Sequence, residues 1–175
     1  FTNGIAATRT LLENLAAVGL QDVAFHVDTT QRRVGYQTEM DLNVIRKDYI
    51  ARAHGLGLMV VFNTTVHEGN FHHIPNLVRF FIAQSAEIGL VSFQLQAETG
   101  RGEWGSRDAL ITQQSMKKQI ETGSARTLPW GVVDFGHSDC HSYMPTTVVN
   151  NRVFPVIGER TLFGHFLSHF EHIRT

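Results

Sequence analysis

The sequence contains a single cysteine, Cys140. It therefore cannot build a disulfide framework, and a lone thiol fits a reducing compartment such as the cytoplasm. No apolar run approaches the ~20 residues that a membrane-spanning helix needs. Charge of one sign is not in excess: 15 Lys and Arg against 16 Asp and Glu leave a formal net charge of −1. That balance gives no electrostatic reason to expect nucleic acid or an anionic membrane as partner. The opening residues have neither the basic region nor the apolar core of a signal peptide. No phosphate-binding GxxxxGK[ST] or GxGxxG follows a strand, which disfavours nucleoside triphosphate chemistry. What remains is a chain of 175 residues, 42% hydrophobic and 18% charged, long enough for a domain with a real core.

What is present is an alternation of strands and helices. Residues 8–18 carry helical apolar spacing through Leu11, Leu12, Leu15 and Val18, and Gly19 supplies the exit. Residues 23–28 read as a short buried strand, and 39–54 as a helix with Met40, Val44, Ile45 and Ile50 on its apolar side. The near-continuous apolar run at 58–64 is typical of a strand buried on both faces. Residues 74–88 form the next expected helix, with Pro75 tolerated in its first turn, and 90–96 the next strand. Expected strand ends at Asn3, Asp28, Asn63 and Gln94 recur every ~30 residues, the spacing of a βαβ unit. The spacing predicts a parallel α/β sheet. After Gly105 the pattern changes. A helix over 108–121, irregular chain over 128–142, an extended stretch over 143–149 and an amphipathic helix over 161–173 follow. The chain divides on this reading into residues 1–104 and an attached segment, 105–175.

In parallel α/β folds ligands bind beyond the carboxyl ends of the strands, and each expected strand here ends in polar groups. These are Thr2 and Asn3, then His26 and Asp28, then Asn63 and Thr65, then Ser92, Gln94 and Gln96. Two-residue alternation puts His26 with Asp28, and Ser92 with Gln94 and Gln96, on one side. Phe25, Val27, Phe93 and Leu95 take the other. Taken singly, such groups cap helices and satisfy loop backbone. Four strand ends behaving alike point instead to a polar, mainly uncharged pocket for a zwitterionic or hydroxyl-rich molecule, because an unpaired buried amide costs about 1–3 kcal/mol.

The ordered set TNG, HVD, FNTTV and VSFQ resembles the third to sixth strands of the radical S-adenosylmethionine fold, and covers about the first hundred residues. The segments VSFQLQAETGRG and GHSDCHS are similar to the branch that holds tetraether lipid synthase. The resemblance implies the last part of an incomplete parallel (β/α) barrel with a C-terminal accessory segment. It also implies that Thr2, Asn3, His26, Asp28, Asn63, Ser92, Gln94 and Gln96 lie around S-adenosylmethionine. The activity implied is hydrogen-atom abstraction from a small-molecule or lipid substrate by a 5′-deoxyadenosyl radical, generated at a [4Fe-4S] cluster. The family's CxxxCxxC cluster ligands are absent, and one cysteine cannot hold four irons. The resemblance therefore implies a fragment that begins at the third strand, is inactive alone, and is completed by an N-terminal part of the same protein.

In the GHSDCHS segment, which contains His137, Asp139, Cys140 and His141, the resemblance makes Cys140 a ligand of an auxiliary iron site. A small buried thiol is the alternative. His165, His169 and His172 share a helical stripe with zinc-like spacing but read as the flank of an amphipathic helix. His67 and Glu68 follow a strand end and are candidates for the pocket rim, whereas His72 and His73 sit at a helix start. Two other functions fit the residues. One is a metal-dependent (β/α)-barrel hydrolase using His26, Asp28 and histidines from the C-terminal tail. The other is a module that binds a neutral metabolite.

Overall fold

The computed structural model describes residues 1–96, 111–132, 137 and 141–158. Thr8 opens helix α1 (Arg9–Ala17) by accepting a hydrogen bond from the Leu11 N–H, the standard cap for an orphan helix donor. Strand β1 (Asp22–His26) follows, then a 3-10 turn at Thr29–Gln31 capped by the Asp28 side chain. Next come α2 (Asn43–Ala53), β2 (Met59–Val66), the single-turn helix α3 (Glu68–Phe71), α4 (Ile74–Ala83) and β3 (Ile88–Leu95). Helix α5 (Gln113–Ser124) and the strands β4 (Thr146–Val149) and β5 (Arg152–Pro155) complete the described elements.

β1, β2 and β3 form a three-stranded parallel sheet in that order. Side chains of α1, α2 and α4 share one core cluster with Val23, Phe25, Val60 and Phe62. The crossover helices therefore lie on one side of the sheet, as crossovers of a single hand require. Phe25 is fully buried between Tyr49, at 4.8 Å between ring centroids, and Phe62, at 5.9 Å. A second cluster joins Ile111 and Met116, at the start of α5, to Val66, Ile74 and Val78. The opposite face of the sheet carries Ala24, His26, Val61, Asn63, Thr65, Ser92 and Gln94.

The expected incomplete (β/α) barrel is corrected by this topology. The described chain makes a three-stranded parallel sheet and a separate two-stranded antiparallel one. Thr2, expected to end a further parallel strand, makes one isolated bridge to Phe25, through Thr2 N–H to Ala24 O and His26 N–H to Thr2 O. Past that bridge Gly4 at φ +77° turns the chain, and the Thr2 hydroxyl and the Asn3 side-chain oxygen accept the N–H groups of Gly4 and Ile5, so both side chains are spent on the turn and the single bridge is all the ladder they make. The β4–β5 pair is a hairpin whose turn residues, Asn150 and Asn151, both have positive φ. That is the type I′ geometry that Asn tolerates, and β5 has no counterpart among the expected elements.

Boundaries also move, and α5 runs over Gln113–Ser124 rather than 108–121. α2 starts at Asn43 rather than 39, because Glu39 turns inward to Arg46 and the Asp41 carboxylate accepts the Gln37 and Thr38 N–H groups. α4 stops at Ala83, so that β3 begins at Ile88. The expected helix over 161–173, with its histidine stripe, lies outside the described residues. No helix among the described residues is long and apolar enough to cross a membrane.

Candidate binding site at the strand ends

The sheet register lines up the polar side chains. His26 pairs with Asn63 and Asn63 with Ser92, while one step further along Thr65 pairs with Gln94. Alternate residues of a strand share a face, so His26, Asn63, Thr65, Ser92 and Gln94 form one surface at the carboxyl ends of the strands.

Asp28 organises one half of that surface. Its carboxylate is fully buried and accepts from the Thr65 N–H at 2.7 Å, the Thr30 N–H at 3.0 Å, the Thr30 hydroxyl and the His26 Nε2–H. Burial pushes its pKa up, but the hydrogen bonds from His26, Thr30 and Thr65 outweigh burial and hold it at about 2. The same contact raises the pKa of His26, against the opposing effect of partial burial. His26 Nε2 also lies 3.1 Å from the Thr65 hydroxyl. The pair ties the end of β1 to the end of β2.

Asn63 organises the other half. It is 4% exposed and donates from Nδ2 to Gln94 Oε1 at 2.9 Å. Its Oδ1 is buried without a hydrogen-bond partner among the described residues. Exchanging O and N in both amides preserves the bond between them and leaves Nδ2 unpartnered instead. In either arrangement one buried amide atom of Asn63 has capacity for a partner.

A second network holds the loops behind these residues. Arg46 and Glu39, both fully buried, form an ion pair. Arg46 also donates to Glu39 O at 2.9 Å, Val27 O at 2.7 Å and Asn43 Oδ1 at 2.8 Å. Burial lowers the Arg46 pKa, and the Glu39 charge opposes that effect. Glu39 Oε2 accepts from the Thr29 N–H and hydroxyl and from Asn70 Nδ2, which also donates to Thr65 O. Thr29 Oγ1 lies 2.9 Å from His67 Nε2. The loops after β1 and β2 are thus fastened through paired polar groups, as buried charge requires.

The structure separates the residues expected from sequence. His26 and Asp28 meet, Asn63 and Gln94 meet, and Ser92 stands beside Asn63 in register. Gln96 follows β3 and its N–H donates to Val66 O. Thr2 and Asn3 turn their side chains onto their own loop, and Asn3 O is held by Arg33 Nη2 at 2.6 Å and the Tyr49 hydroxyl at 3.0 Å. His67 caps α3 by accepting the Gly69 N–H. Cys140 lies outside the described residues. The network residues that sequence reasoning missed are Glu39, Arg46, Asn70 and Thr29. One signal was available, an arginine at the helical position between Asn43 and Ile50 on the inward face of α2.

No protein-family model, curated protein or solved structure significantly matches this chain. What fold and site define is a parallel α/β unit with its helices on one sheet face and a hydrogen-bonding polar face at the strand ends. Among the described residues no group of three His, Cys, Asp or Glu is placed to hold a metal ion, and both Asp28 oxygens are committed to N–H and O–H donors.

Proposed function

We propose that this chain supplies the S-adenosylmethionine-binding strand ends of a radical S-adenosylmethionine enzyme. The observation that carries the reading is Asn63: a buried amide, coupled to Gln94, with one atom that has no hydrogen-bond partner among the described residues. S-adenosylmethionine fits that surface. Its amino acid and ribose offer both donors and acceptors, and its net charge asks for no phosphate cradle. The sheet is shorter than the family's barrel, so the proposal rests on the strand ends alone.

The [4Fe-4S] cluster of such an enzyme does not fit this chain, whose single cysteine cannot ligate it. On this proposal the cluster ligands belong to a preceding N-terminal part of the same protein, and the substrate is a small molecule or lipid rather than nucleic acid. The compartment is the reducing cytoplasm. The cofactor carries the chemistry, and these residues orient it and shield it from water.

The test is isothermal titration of the purified chain with S-adenosylmethionine. Asn63→Ala and Gln94→Ala should each weaken binding by roughly 1–3 kcal/mol, about 5- to 150-fold, with unchanged circular dichroism. Affinity that both variants leave intact would show that the amide pair serves the sheet, not a ligand. The lone cysteine also favours a second function, a module for a neutral metabolite. Tighter binding of adenosine or S-adenosylhomocysteine than of S-adenosylmethionine would select it.

A further inference from the structure

The contact between His26 and Asp28 does more than join two strands. Asp28 is fully buried, whereas the His26 side chain is 35% exposed on the same face as Asn63, Ser92 and Gln94. Asp28 is ionised, and an ionised carboxylate only accepts hydrogen bonds. Nε2 must therefore carry the ring proton, and in the neutral ring Nδ1 keeps the lone pair. Nδ1 makes no hydrogen bond among the described residues, so the basic nitrogen of this imidazole is its uncommitted one. A histidine oriented by a buried carboxylate through one nitrogen, with the other free, is the arrangement of a general base.

We propose that His26 is the proton-transfer residue of this face. Nδ1 takes a proton from an N–H or O–H of the bound ligand and returns it. The ligand atom keeps the bonding pair when the proton leaves. The imidazolium so formed is stabilised by Asp28, which stays ionised. The charged groups around the ring support this role in unequal measure: Asp28 and Glu39 raise its basicity, and Arg33 lowers it. The ligand half of the inference rests on the S-adenosylmethionine reading above.

The test has two arms. In the first, two-bond proton–nitrogen NMR of the histidine-labelled chain reads the tautomer and titration of His26. The neutral ring should be the Nε2–H form and titrate above 6.5, and Asp28→Asn should lower that midpoint and mix the tautomers. An Nδ1–H ring, or a midpoint at or below 6.5, would overturn the proposal. In the second arm, S-adenosylmethionine is added to the labelled chain and to His26→Gln. Nδ1 should move markedly while Nε2 moves little, and calorimetric affinity should fall as pH drops through the His26 midpoint, a pH dependence that His26→Gln should lose. Binding that leaves Nδ1 unmoved refutes this inference and spares the binding site. Absence of binding by the wild-type chain removes the site itself, and the ligand role of His26 falls with it.

Discussion

Replacing Asp28 by Asn should flatten the pH dependence of folding in two separate windows. The carboxylate accepts four donors in the folded chain, and its pKa falls from an ordinary 3.8 to about 2. At about 1.4 kcal/mol per pH unit, that difference contributes about 2 kcal/mol of stability. The sign follows from which state binds protons more readily. Above pH 4 the unfolded and folded carboxyls are both ionised and the contribution is full. As pH falls from 4 towards 2 the unfolded chain takes up the proton first, and the contribution is lost. His26 acts in the opposite sense. Its folded pKa is raised above 6.5, so its contribution is full below 6.5 and is lost as pH rises through the folded value. Because the two groups share one hydrogen bond, they titrate as a pair. The difference in unfolding free energy between wild type and Asp28→Asn should therefore trace a plateau between about pH 4 and 6.5, with falling limbs on both sides. Beneath it lies a constant offset of about 1–3 kcal/mol, because Asn turns an N–H toward a donor of Thr30 or Thr65. Urea unfolding followed by circular dichroism from pH 2 to 9, at constant ionic strength, measures the curve. A difference that is flat with pH, or that grows above pH 7, would refute the assignment of charge to this pair.

Glu39→Ala should cost roughly 3–5 kcal/mol, because it leaves the fully buried Arg46 uncompensated. The pair Glu39→Leu with Arg46→Met should cost less than the two single changes summed, and denaturant midpoints in a double-mutant cycle that prove additive would deny the coupling. Gly4→Ala should destabilise by about 2–4 kcal/mol, because its Cβ would lie 2.1 Å from a Tyr49 ring carbon at φ +77°. Thermal melting should show Tyr49→Leu recovering part of that loss, and a melt unchanged by Gly4→Ala would mean that the turn is held differently.

Local pattern and topology were not equally legible in this sequence. The apolar patterns of β2 and α4 announce these elements because each buries a face against the core, and a buried face repeats at the period of its own backbone, whereas α1 keeps the helical period but buries only Leu12 and leaves Leu11, Leu15 and Val18 exposed. Alternation likewise separates His26 and Asp28 from Phe25 and Val27. Closure of the sheet has no such local signature. Thr2 looks like a strand end and does bridge Phe25, but nothing in its neighbours says how far a ladder runs or how many strands stand beside it. Arg46 was only half legible: its helical position lies on the inward face of α2, but a charge scores as surface until its partner is known, and Glu39 stands outside the helix that holds Arg46. The hardest distinction lies within the site. Thr2, Asn3, Asp28 and Asn63 look alike as polar strand ends, and they differ only in unused hydrogen-bonding capacity. Thr2 and Asn3 close their own turn. Asp28 fills both oxygens from His26, Thr30 and Thr65. Asn63 alone of the four is buried and holds an atom without a partner among the described residues. That remainder is a property of the packed structure, set by donors up to 37 residues away in the case of Asp28, and it is what distinguishes a group that builds the fold from one that can bind a ligand.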